Sequence, residues 1–166
     1  SDVYKRQAQW LRLSEDRGLP RVATIQNEYS LLCRLYDTDL AELSVNEEVG
    51  LIAFSPLAAG LLTGKYQDSV TPAGSRKTFT ADLGGRTTQR VWPAVDAYSQ
   101  IAAKHEVDIV HMSLAWCLTR PFMCSAIFGA TRHAQLEHIL KTTDVVLSAE
   151  CLADITEAHK SHPMPF

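Results

Sequence analysis

Three short runs rich in β-branched and aromatic residues constrain the fold most: 21–26 (RVATIQ), 50–55 (GLIAFS) and 125–130 (SAIFGA). Each is apolar on both alternating faces, the pattern of parallel strands covered by helices. Helical patterns separate them. Residues 8–17 predict a helix that stops at Gly18, with Pro20 beyond. Asp39 and Glu42 have capping-box spacing, and Leu40 and Leu43 supply the buried stripe of a helix ending near Gly50. Val91, Val95, Tyr98 and Ala102 lie on one face of a helix reaching about Lys104, with Pro93 in its first turn or kinking it. Asp108 caps the next helix, in which Ile109, Met112 and Trp116 face inward until Pro121. Helices over 133–141 and 148–160 close the chain, the last with Leu152, Ile155 and His159 on one side. This alternation predicts an α/β chain with a parallel sheet of βα units. Three strands fall short of the eight of a closed barrel and of the five or six of a doubly wound sheet, so strands are expected from elsewhere.

Charge and apolar runs exclude several functions. A formal charge of -3, with 16 Lys+Arg against 19 Asp+Glu, argues against a dedicated nucleic-acid binder, which clusters cations along phosphates. No apolar stretch approaches the ~20 residues that span a bilayer. Cys33, Cys117, Cys124 and Cys151 lack C-x-x-C or metal spacing and are expected to be reduced and buried in a cytoplasmic protein. Residues 1–7 (SDVYKRQ) are unlike the rest of the chain and are set aside as an expected non-native leader, leaving 8–166 as the domain.

Parallel α/β folds bind ligands beyond the carboxyl ends of their strands. Those ends read Gln26-Asn27, Ser55-Pro56-Leu57 and Gly129-Ala130-Thr131-Arg132. The last leads into a helix whose first N–H groups suit a phosphate, with Arg132 as a charged partner; solvated turn residues are the plain alternative. The long segment between Ser55 and Thr87 lacks clear periodicity and carries Lys65 and Arg76, either cations for an anionic ligand or solvated loop charges. Ser55 lacks a nucleophile elbow, His159 and His162 lack a third ligand, His105 and His111 read as surface residues, and Glu47-Glu48 as a solvated helix end. No general base and no metal site emerge.

Residues 23–34 (ATIQNEYSLLCR), 53–66 (AFSPLAAGLLTGKY) and 127–136 (IFGATRHAQL), in this order, resemble the aldo-keto reductases, in particular the bacterial branch similar to potassium-channel β subunits. The resemblance runs from about Gln9 to the His162-Pro163-Met164-Pro165 ending. It implies a partial (β/α)8 TIM barrel, about strands six to eight with their helices plus a C-terminal helix, and an oxidoreductase that binds NADP(H) and reduces aldehydes or ketones by hydride transfer. It further implies that Gln26 bonds the nicotinamide carboxamide and that Phe54 stacks on the ring. Ser55, Pro56, Leu57 and Ala58 would line the pyrophosphate, with Lys65 and Arg76 closing over it. Gly129, Ala130 and Thr131 would meet the adenosine 2′-phosphate, Arg132 would add the charge that favours NADP(H), and Gln135 would lie near the adenine. His138 and Ile139 replace the carboxylate and amide that relatives often place there. No position matches the family's catalytic Asp, Tyr, Lys and His. Tyr29 and Tyr66 belong to cofactor-half motifs, so the chain alone is expected to be inactive without the missing N-terminal half-barrel. The rival expectations are a regulatory nucleotide-binding subunit and an inert truncated fragment.

Overall fold

A computed structural model describes residues 2–67 and 70–166. Three parallel strands, β1 (Thr24–Glu28), β2 (Gly50–Phe54) and β3 (Met123–Ile127), form one sheet in the order β1-β2-β3. Among the described residues six α-helices accompany them: α1 (Asp2–Arg17), α2 (Leu40–Asn46), α3 (Val91–Lys104), α4 (Ile109–Leu118), α5 (His133–Leu140) and α6 (Ala149–Ser161). Residues 2–7 of the expected leader lie within α1, and Ser1 lies outside the described residues. Among the described residues no helix is long and apolar enough to cross a membrane.

The helix boundaries follow local chemistry. Gly18 ends α1 in the left-handed region (φ +62), where a side chain would strain the turn. Pro93 sits at the third helical position of α3, where the missing N–H has no intrahelical partner to lose. Asp108 and Ser148 cap α4 and α6 with their side chains. Asp39 does not: its side chain makes no capping bond to α2, so the expected capping box is absent.

Two strands differ in extent from the sequence expectation. β1 begins at Thr24 and runs on through Asn27 and Glu28, which pair with Ala53 and Phe54. β3 begins at Met123 and ends at Ile127. Their coverage also differs. Leu51 and Ala53 are fully buried under the helices, whereas Ile52 and Phe54 on the opposite face of β2 are only half-buried. Gln26 and Ile127 on that face are exposed. The sheet is thus covered on one side. A register shift at Leu51/Ile52 lets Cys124 and Ser125 both escape the helical side, and this leaves Cys124 exposed rather than buried.

At the shift β2 and β3 touch. A Cβ on Gly50 would stand 2.8 Å from Cys124 Cβ, which is fixed to its own backbone. Gly50→Ala is therefore expected to destabilise the chain by about 1–3 kcal/mol, read from urea midpoints, and Cys124→Gly in the same chain should recover part of the loss.

The core lies between sheet and helices. α3 packs on α4 and α6, and α4 on β3, around the buried Tyr29, Tyr36, Tyr66, Tyr98, Trp116 and Phe122. A smaller cluster of Leu11, Leu43 and Val49 joins α1 to α2.

Candidate functional site

All three strands expose their carboxyl ends on the same edge of the sheet, because the pairing is parallel throughout. Gln26 pairs with Ile52, and one row further Glu28, Phe54 and Ile127 align across β1, β2 and β3. Gln26 and Phe54 therefore share the uncovered face on adjacent strands, an exposed amide beside a half-buried ring.

The turn after β2 is strained. Ser55, Ala58 and Ala59 have φ of +53, +47 and +56, each costing about 1–3 kcal/mol in a non-glycine residue. Hydrogen bonds hold it: the Ala58 amide donates to the Ser55 carbonyl at 2.8 Å and the Gly60 amide to the Leu57 carbonyl at 2.9 Å. Burial of Pro56, Ala58, Leu61 and Leu62 adds apolar anchorage. Leu57 also reaches Val110, Leu114 and Ile139 beside Phe128, so the turns after β2 and β3 rest on one apolar patch of α4 and α5. Ile139 faces this patch.

The long segment from Ser55 to Thr87 has structure of its own, with 3-10 turns at Ala58–Thr63 and Arg76–Thr78. Lys65 Nζ lies 5.0 Å and Lys77 Nζ 5.8 Å from the centroid of the Tyr66 ring. Two ammonium groups, with exposed Arg76 beside Lys77, thus meet at one aromatic ring. Arg86 clasps Glu28 at the end of β1 with three bonds of 2.8–2.9 Å, and its guanidinium lies 5.6 Å from the Phe166 ring. Thr88 Oγ1 donates to the Pro165 carbonyl. The long segment and the C-terminal tail are in this way tied to the strand exits. Sequence reasoning missed Lys77, Glu28 and Arg86, since 58 positions separate the clasped pair.

After β3, Gly129, Ala130, Thr131 and Arg132 are all exposed. The Gln135 carbonyl oxygen accepts the Thr131 amide at 3.0 Å, the Thr131 hydroxyl at 3.1 Å and the Arg132 amide at 3.2 Å. Gln135 therefore covers three donors of the turn expected to meet a phosphate, two amides and a hydroxyl, and an anion there must displace its side chain.

Neither Tyr29 nor Tyr66 reaches solvent. Tyr29 is fully buried and donates to Asp37 Oδ1 at 2.6 Å. Burial foremost, then that bond, push its pKa far above the usual value. Tyr66 is buried as well. His159 is half-buried, and burial, with the nearby Arg34 charge, lowers its pKa. The residues read as surface histidines have partners: His105 Nε2 meets Asp154 Oδ2 at 2.6 Å, and His111 lies against His138. Glu47 pairs with Arg21 at 2.9 Å.

The Aldo/keto reductase family profile matches residues 1–160. The chain is 39% identical to Protein tas of Escherichia coli over 94% of this chain and 45% of that protein. It is 33% identical to a probable voltage-gated potassium channel subunit beta of Arabidopsis thaliana, over 83% of this chain and 44% of that protein. An aldo-keto reductase of Babesia bovis is 33% identical over 75% of this chain and 46% of its own length. The chain spans about half the length of the curated relatives it matches. With its profile running through nearly the whole chain, the protein belongs to the aldo/keto reductase family.

Proposed function

We propose that this chain is the cofactor-holding C-terminal half of a cytoplasmic, NADP(H)-dependent aldo-keto reductase, about strands six to eight of a (β/α)8 barrel with their helices and a C-terminal helix. One observation carries the reading: Gln26, Phe54 and the turns after β2 and β3 converge at the carboxyl edge of one parallel sheet, where such folds bind nucleotides. The donor set suits a phosphorylated dinucleotide, with an amide beside a ring face, three loop cations and backbone N–H groups at a helix start.

Bound there, NADP(H) supplies the hydride for an aldehyde or ketone carbon. Gln26 would hold the carboxamide and Phe54 would offer a flat face to the nicotinamide, fixing which side of the ring can give its hydride. Ser55, Pro56, Leu57 and Ala58 line the pyrophosphate, and Lys65 and Arg76 close over it. Gly129, Ala130, Thr131 and Arg132 meet the 2′-phosphate, and Gln135, once displaced, lies near the adenine. The proton for the carbonyl oxygen comes from the N-terminal half-barrel, because no position of this chain matches the family's catalytic Asp, Tyr, Lys and His and the Tyr29 hydroxyl is engaged by Asp37.

The 166-residue chain is therefore expected to bind NADPH, seen as a change in coenzyme fluorescence, and to leave it unoxidised when an aldehyde is added. Consumption of NADPH by the chain would overturn the absence of a proton donor. No binding, either here or in a longer protein that includes the preceding strands, would overturn the coenzyme reading. A second reading, a nucleotide-sensing regulatory subunit, is supported by similarity to proteins named as potassium channel β subunits. Tight NADPH binding with negligible turnover in the longer protein would favour it.

A further inference from the structure

Beside the apolar patch of α4 and α5 on which the turns after β2 and β3 rest, Asp108, His111 and His138 come together. Asp108 Oδ1 caps α4, accepting the Val110 and His111 amides at 2.8 and 3.3 Å. His111 stands three residues further on, on the same side of the helix. His138, in the last turn of α5, places its Nε2 3.2 Å from Asp108 Oδ1. Its ring centroid lies 4.4 Å from that of His111, with the planes at 30°. One nitrogen or oxygen from each of the three residues lies within 4.8 Å of the other two. Ligand atoms around one ion at about 2.0–2.2 Å sit roughly 3–4 Å apart. Small rotations of these exposed and half-buried side chains close that difference without moving a helix.

The tautomer of His111 is set by its surroundings. Its Nε2 lies 2.7 Å from the His138 carbonyl oxygen. A carbonyl only accepts, so Nε2 carries the proton and Nδ1 keeps its lone pair. A ring N–H given to a backbone carbonyl is the support that metal-ligating histidines use to fix their orientation. The helix cap engages Oδ1 of Asp108, and the carboxylate has a second oxygen to offer. Its negative charge also offsets the repulsion between a cation and the N-terminus of α4.

We propose that Asp108, His111 and His138 bind a divalent transition-metal ion of the Zn2+, Co2+ and Ni2+ class, which clamps the start of α4 to the end of α5. Two imidazoles and one carboxylate select these ions over Mg2+ and Ca2+, which require oxygen ligands. The clamp steadies the helix that Arg132 immediately precedes and whose first turn carries Gln135, yet it rests on its own three side chains and not on the nucleotide reading.

The test is a calorimetric titration of the untagged 166-residue chain with Co2+, accompanied by its visible absorption. One equivalent should bind in the micromolar range, with the intense bands of a low-symmetry site, and Mg2+ should give no binding heat. His111→Gln and His138→Gln should each weaken Co2+ by more than about tenfold, with unchanged far-ultraviolet circular dichroism. His162→Gln, which breaks the His159/His162 pair at the end of α6, should leave the affinity unchanged. Zn2+ should raise the melting temperature of the parent chain and not that of the His111→Gln/His138→Gln double variant. Unchanged Co2+ affinity in the double variant, or no uptake by the parent at millimolar Co2+, would overturn the proposal.

Discussion

Asp37→Ala is expected to lower the unfolding free energy of the chain by about 3–5 kcal/mol. Asp37 is a carboxylate that three groups share. It accepts the Tyr29 hydroxyl at 2.6 Å and Arg34 Nε at 2.7 Å, and Arg120 lies 3.7 Å away. Arg34 and Asp37 are only 12% and 19% exposed, so water replaces little of what alanine removes. Tyr29 stacks on Trp116 at 5.2 Å with the planes 13° apart, and Arg34 and Arg120 lie 4.9 and 5.6 Å from the same indole ring. Without the carboxylate, a buried phenol and two guanidinium groups crowd one ring with their anion gone. Tyr29→Phe, which removes a single hydrogen bond and keeps the ion pairs, should cost only about 1 kcal/mol. Urea unfolding with matched slopes separates the two outcomes. Equal losses would mean that the phenol bond, not the charge balance, holds this corner.

Arg132→Ala is expected to raise the Kd for NADPH by about 10–100-fold, the worth of one charge-assisted phosphate bond of roughly 1.5–3 kcal/mol. NADH, which lacks the 2′-phosphate, should change by less than about threefold. The location of Arg132 makes this contrast sharp. It is exposed, has extended backbone angles of φ -133 and ψ 145, and immediately precedes α5, so alanine removes a charge and leaves the helix start intact. Parallel titrations of the two coenzymes, with the longer protein as a second host, measure the ratio. Equal weakening of both would remove Arg132 from the 2′-phosphate role.

Some of this architecture was legible residue by residue. Asp108 announced a cap because a short polar side chain before an apolar periodic run has few other uses, whereas the cap at Ser148 emerged with the fold. Gly18 announced a stop for a similarly local reason. Strand limits were less accessible. Asn27 and Glu28 look like loop residues, yet they extend β1 because Ala53 and Phe54 stand opposite and complete the hydrogen-bonding ladder. Cys124 looked like a core residue among apolar neighbours and became exposed through a register shift that depends on β2. The strand-exit residues were named by resemblance, but their company was not: Lys77 beside Lys65, Gln135 across the Thr131 and Arg132 amides, and Arg86 on Glu28 all required the chain to be folded.

Sequence alone determined the order of strands and helices, that the strands run parallel, and the family to which the motifs point. Those properties reside in periods of two and 3.6 residues and in contiguous words, which need no long-range contact to be read. Only the tertiary structure decided which sheet face is bare, which carboxylate balances Arg34 and Tyr29, and that His138 meets Asp108 and His111. Such pairings join positions dozens of residues apart, and only the packing of helices on the sheet sets the distance between them.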